Sequence, residues 1–191
     1  MLFILTGLLS FLLLFMFDYY TLNNKSIKKK IFGLAGVLLF IYSTVMIMLT
    51  SKKIRLPLSL RVVSGVFCGV FTFLLIYSLF IELPFAKTYG KVEYSNELID
   101  IGTYALCRHP GVLWFGLSFF FAFFMTGAIW VVYAGIIWTS ADIIYVYLQE
   151  KIFFFKIFPK YKIYVGTTPM LIPTRESIKR CISTLIIMEV K

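Results

Sequence analysis

Long apolar runs separated by short polar links organise the chain. The first extends from Met1 to Phe17 and stops at Asp18, with the aromatic pair Tyr19-Tyr20 behind it. It sits at the short end of the about 17–25 residues that a helix needs to cross a bilayer. A polar link over Asn23 to Lys30 follows, carrying Lys25, Lys28, Lys29 and Lys30. The second run covers Ile31 to Leu49 and gives way to a basic turn with Lys52, Lys53, Arg55 and Pro57. The third covers Val62 to Ile81, ended by Glu82 and Pro84. A fourth, Gly111 to Met125, breaks at Thr126-Gly127-Ala128, and a fifth continues to Leu148 before Gln149-Glu150. The pattern predicts an all-α integral membrane protein of about five transmembrane helices. The last two form a hairpin followed by a basic tail. One membrane domain is expected over 1–191. Its three N-terminal spans occupy 1–84, a loop, hairpin and tail segment occupy 85–173, and the end of the tail occupies 174–191.

Composition agrees with the pattern. Of 191 residues, 60% are hydrophobic and 15% charged, too little polar surface for a soluble domain of this size. The formal charge of +10 points to anionic lipid headgroups, and no nucleic-acid module is recognisable. Cys68, Cys107 and Cys181 have neither metal-ligand spacing nor a disulfide pattern, so no metal is expected. The N-terminal run has no basic residue before it and no small-residue cleavage pattern before Asp18. It is expected to be a membrane helix rather than a signal peptide.

Loop charge sets the expected orientation. After Glu150 come Lys151, Lys156, Lys160, Lys162, Arg175, Lys179 and Arg180, which place the C-terminus in the cytoplasm. Five spans then put the N-terminus outside, together with the uncharged hairpin turn. The stretch from Ser51 to Arg61 also falls outside despite its four basic residues. Compact size suggests a prokaryotic inner membrane.

Candidate chemistry lies where these elements meet. Asp142 is an ionisable group inside the fifth run, which marks either a function or a packing contact with Thr139 or Ser140. Gln149 follows seven residues later on nearly the same helix face. His109 is the only histidine, with Arg108 before it and Pro110 after it. Taken singly, each has an ordinary reading: an interfacial histidine, a headgroup anchor, a helix-starting proline. Glu150 could likewise be a plain helix-end residue, and Tyr161 and Tyr164 part of an aromatic belt. Their placement at the two ends of one hairpin raises all of them together.

The stretch from about Asn96 to Pro173 resembles the catalytic region of the isoprenylcysteine carboxyl methyltransferase family and its phospholipid methyltransferase relatives. The family's Gly-x-Tyr-x-x-x-Arg-His-Pro reads here as Gly102, Tyr104, Arg108, His109 and Pro110. Glu150 stands for the glutamate that ends the family's hairpin. Phe158, Tyr161, Tyr164, Pro169 and Pro173 keep the order of its tail. The resemblance implies an S-adenosylmethionine pocket lined by Asn96, Glu97, Leu98, Ile99, Tyr104, Arg108, His109, Pro110, Glu150, Tyr161 and Tyr164. Arg108 and His109 suit the carboxylate of the cofactor's methionine part, and Glu150 suits its ammonium. These three are the expected catalytic residues. Tyr104 is expected to stack on adenine with its hydroxyl in water.

The chain also departs from the family. The family's Tyr-x-Gly after the motif is missing, the chain reading Gly111-Val112-Leu113-Trp114-Phe115-Gly116, and Phe158-Pro159 replaces Phe-Gly. Val146 stands where isoprenylcysteine-modifying members carry a substrate-binding arginine. The expected activity is methyl transfer to a lipid-like or small apolar acceptor at the membrane. An NADPH-dependent sterol or enone reductase and a non-catalytic membrane scaffold of the same fold are the alternatives. The sequence leaves the oligomeric state open.

Overall fold

The computed structural model describes residues 1–22, 26–83, 98–155 and 158–189. These residues are helical almost throughout, and among them the only β-type pairing is an isolated bridge between Lys53 and Ala128. Helix α1 is Leu2–Leu22, α2 is Ser26–Thr50, and α3 is Leu58–Ile76 continuing as a π-helical segment, Tyr77–Glu82. A short α4, Thr103–Leu106, precedes α5, Pro110–Thr126. Next comes α6, Ile129–Gln149, which also runs on into a π-helical segment, Glu150–Phe154. The chain ends with α7, Tyr161–Thr167, and α8, Arg175–Glu189. Four helical stretches are long and apolar enough to cross a membrane: Leu2–Thr21, Ile27–Thr50, Leu58–Glu82 and Ile129–Phe154. The chain is an all-helical integral membrane protein. Helix α5 is equally apolar but shorter.

The chain folds as two compact units, the first comprising Met1–Val70 with Gly116–Tyr145. In it α1 and α2 are antiparallel. Phe3 meets Tyr42, Thr6 Oγ1 lies 2.7 Å from Ser43 Oγ, and Tyr20 stacks on Phe32. Helix α6 runs parallel to α1. Trp138 is fully buried, donates its indole N–H to the Ile4 carbonyl at 3.0 Å, and lies against Gly7, where a Cβ would strike the indole. Buried Ser10 and Ser43 return their hydroxyls to carbonyls of their own helices, so they satisfy themselves while letting neighbours approach.

Two boundaries differ from the apolar pattern. Asp18 does not end the first helix. It is buried within α1 and accepts a hydrogen bond from the Tyr145 hydroxyl, so a neighbouring helix compensates the charge expected to stop it. The polar link after it is also shorter than expected. Helix α2 begins at Ser26, and Lys28, Lys29 and Lys30 occupy its first turns.

The basic link after α2 is fastened to the hairpin turn. Ile54 N donates to the Gly127 carbonyl (2.9 Å) and Ile129 N to the Lys52 carbonyl (3.0 Å). Gly127 has φ +69°, and a Cβ there would meet the Ile54 carbonyl. Only glycine suits both conditions. Arg61 Nε reaches the Met125 carbonyl at 3.1 Å, a cation set on the last turn of α5 where helix carbonyls lack partners.

The second unit comprises Phe71–Phe115 with Val146–Lys191. Phe71 stacks on Trp114, and Gly111 lies against Leu79 and Leu75. All the candidate residues from Leu98 onward named for the cofactor pocket belong to this unit.

Candidate functional site

The motif segment enters the site through a tight turn. Leu98 and Ile99 lead into it half-buried. Tyr104 N donates to the Ile101 carbonyl at 3.1 Å across Gly102, which has φ +58° and ψ −130°. That backbone geometry belongs to a glycine at the first central position of a type II′ turn. Gly102 N donates to Thr184 Oγ1 of α8 at 2.9 Å. Glu82, at the end of the first π-helical segment, accepts from the Thr103 backbone N–H at 2.7 Å and from the Thr103 hydroxyl. A carboxylate from elsewhere in the chain thus caps α4, whose own N-cap residue has no side chain to do so.

After α4 the chain is extended at Cys107 and then pairs with the tail. Arg108 N donates to the Pro169 carbonyl (2.9 Å) and His109 N to the Met170 carbonyl (3.2 Å). Arg108 Nη1 donates to the Thr168 carbonyl at 2.7 Å. Three consecutive tail carbonyls therefore receive one arginine–histidine dipeptide. Pro110 then starts α5 at the position where a missing N–H costs nothing.

Glu150 is the centre of the cluster. It opens the second π-helical segment and is 4% exposed. Arg108 grips it bidentately with one edge of its guanidinium, Nε to Oε1 at 2.7 Å and Nη2 to Oε2 at 3.2 Å. His109 Nε2 lies 2.9 Å from Oε1, and the Tyr161 hydroxyl donates to Oε1 at 2.8 Å. The His109 ring stacks on Phe154 (centroids 6.1 Å apart, 17° between planes), and Phe154 meets Tyr161 edge-on. The Tyr164 hydroxyl donates to the Tyr104 carbonyl at 2.6 Å.

Burial and charge set the protonation of these groups. Burial, with the adjoining Glu150 charge, pushes the Tyr161 hydroxyl above its ordinary range. Burial does the same for Tyr164 and Tyr104. It also raises the Cys107 thiol to about 12. Burial opposes the Arg108 charge, but the bonds and charge of Glu150 outweigh it and raise its pKa. The three tyrosines are neutral and Arg108 is cationic throughout the physiological range.

Of the residues named from sequence, Arg108, His109, Glu150 and Tyr161 meet directly, with Pro110 and Tyr164 beside them. Tyr104 is placed differently from expectation: its hydroxyl is not in water but donates to the Ser78 carbonyl at 3.0 Å. Asn96 and Glu97 lie outside the described residues. Asp142 is half-buried on α6 in the first unit. Sequence reasoning missed Glu82, Thr103, Thr168 and Phe154. Glu82 carried a signal, a carboxylate at the very end of a membrane run. The others carried none: Thr103 fills a variable position inside the motif, Phe154 is one of several phenylalanines after Glu150, and Thr168 contributes a backbone carbonyl, which no side-chain pattern reveals. The chain matches no protein-family model, no curated protein and no solved structure.

Proposed function

We propose that the chain is a five-span membrane methyltransferase that takes its methyl group from S-adenosylmethionine and passes it to a lipid-like or small apolar acceptor. The observation that carries this reading is the convergence of Arg108, His109 and Tyr161 on Glu150. These are residues the family resemblance assigns to the cofactor pocket, and they arrive from three separate stretches of chain.

The cluster fits the cofactor in charge. Its amino-acid part is a zwitterion. An Arg108–Glu150 pair that opens offers a cation to the ligand's carboxylate and a carboxylate to its ammonium, so neither buried charge is left alone. The bond to Oε2 is the longer of the two and the easier to exchange. His109 uses Nε2 toward Glu150, and its Nδ1 has no partner among the described residues. When bound, the cofactor supplies a methyl group on a sulfonium for in-line displacement. The chain's part is alignment and dryness. The Thr168 carbonyl fixes the plane of Arg108, and Phe154 covers one face of His109. Val146 is buried and apolar where a carboxylate-gripping arginine would stand, which favours acceptors other than a prenylcysteine carboxylate.

Helix α5 serves in this reading as the fifth span. Its 17 residues reach about 25 Å, near the hydrocarbon thickness of a bilayer. The basic tail lies on the cytoplasmic side, and the membrane is a prokaryotic inner membrane.

One observation favours a second reading. Glu150 Oε1 already accepts three hydrogen bonds in a buried site, as in a structural clamp of a non-catalytic membrane protein. Calorimetry on the purified protein separates the two, with S-adenosylmethionine, S-adenosylhomocysteine and NADPH as titrants. The methyltransferase reading expects the first two to bind, and Glu150→Gln to weaken both by roughly ten- to a hundredfold, the loss of one charge-assisted hydrogen bond of about 1.5–3 kcal/mol. Absence of binding by the folded parent, or Glu150→Gln and His109→Ala binding as tightly as the parent, would sink it.

A further inference from the structure

Helix α8 presents two adjoining stripes, a covered one of small residues and an exposed apolar one. Ser177, Cys181 and Thr184 face inward, with Ser177 and Cys181 buried and Thr184 accepting the Gly102 N–H. Ile178, Ile182 and Leu185 follow at helical spacing on the neighbouring stripe and stand 43%, 55% and 38% exposed. The far side of that exposed stripe is flanked by Arg175 and Lys179, both exposed. The start of the helix is fixed by reciprocal capping, Thr174 N to Ser177 Oγ at 2.9 Å and Ser177 N to Thr174 Oγ1 at 3.2 Å. Arg180 donates to the Thr167 carbonyl and so ties α8 to the end of α7. The exposed isoleucines are therefore held in place by the fold.

We propose that this stripe of α8 docks on the surface of the membrane the protein spans, with Ile178, Ile182 and Leu185 at the acyl boundary and Arg175 and Lys179 on anionic headgroups. Charge complementarity selects the occupant. Lys160 and Lys162 are also exposed in this unit, and Glu176 is the one acidic residue among the described positions from Lys151 to Leu185. A helix with an apolar stripe and flanking cations lies in the interface plane of such a surface. Because α8 also holds Gly102 through Thr184, lipid contact would bear on the turn that introduces Arg108 and His109.

The test uses the full chain in nanodiscs of phosphatidylcholine, with and without phosphatidylglycerol. An environment-sensitive fluorescent amino acid replaces Ile182, and in a control chain it replaces Glu176. With phosphatidylglycerol the probe at 182 should be quenched by a nitroxide lipid and shielded from aqueous iodide at least several-fold relative to 176. The shielding should fall in pure phosphatidylcholine and in Arg175→Gln/Lys179→Gln, while the cofactor-independent thermal melt stays close to the parent's. Iodide reaching 182 and 176 equally in both lipids would overturn the proposal. So would shielding that follows protein concentration rather than lipid, which would mean that a second copy covers the stripe.

Discussion

Arg108 binds a carboxylate with one edge and a tail carbonyl with the other, so charge alone cannot replace it. A lysine would keep a cation near Glu150 but could not reach Oε1, Oε2 and the Thr168 carbonyl together. Arg108→Lys is expected to lower stability by about 1.5–3 kcal/mol. Arg108→Met should cost about 3–5 kcal/mol, because it strands Glu150 in a buried site. Denaturant melts in one detergent give the order, and a lysine variant as stable as the parent would contradict it. The tyrosines make a second expectation. Burial raises Tyr161, Tyr164 and Tyr104 above the ordinary value of 10.0, so the folded state holds their protons more tightly than the unfolded chain does. Stability from this source is complete below pH 10 and is lost as pH rises beyond it. Tyrosinate absorbance of the site should then appear together with unfolding. Cys107, pushed up to about 12, should resist alkylation at neutral pH until the protein unfolds. Smooth titration of the tyrosines in a folded protein would refute the burial argument.

At the scale of elements, the segment from Gly102 to His109 is held at both ends by carboxylates that sit in π-helical turns. Glu82 closes one such turn and holds Thr103; Glu150 opens the other and holds Arg108 and His109. Single π turns inside α-helices recur at functional sites because the extra residue re-aims a side chain. Gly102 is the vulnerable point between them. Its φ of +58° excludes an ordinary side chain, and a Cβ would collide with the Glu82 carboxylate. Gly102→Ala should cost at least about 1–2 kcal/mol from backbone strain alone. It should also weaken whatever Arg108 and His109 bind, whereas Gly69→Ala, where a Cβ meets open space, should leave binding unchanged. Equal effects of the two would argue against a poised turn. The helices themselves were legible because apolar runs of spanning length have few other structures open to them. Their ends were less so. Asp18 reads as a stop until Tyr145 of another helix is placed against it. Arg108, His109 and Glu150 were legible as a set through a motif, while Glu82 and Thr168 matter through contacts that no spacing encodes.

For the whole molecule, the pairing of the basic link with the hairpin turn constrains how the chain crosses the bilayer. Ile54 and Lys52 bond to Gly127 and Ile129, so the two segments lie at one membrane face. Helix α3 leaves that face at Leu58 and is long and apolar enough to reach the other. A chain that crosses through α3 must return before Gly127, and α5 is the apolar helix available for the return. In the proposed five-span reading α5 is this returning span, and the tail after α6 is expected on the face opposite the hairpin turn. In that reading the basic link is expected on the external side, where Arg61 is already engaged by the Met125 carbonyl. The remaining imbalance favours a cytoplasmic tail. Reporter fusions at Arg55, Thr126 and Lys191 test both steps. Arg55 and Thr126 should report the external side and Lys191 the cytoplasm. Arg55 and Thr126 on different sides would break the pairing on which the count of five rests. Thr126 and Lys191 on the same side would remove α6 as a span. If all three are exchanged between the two sides, the five crossings stand and the cytoplasmic tail, argued from charge alone, falls.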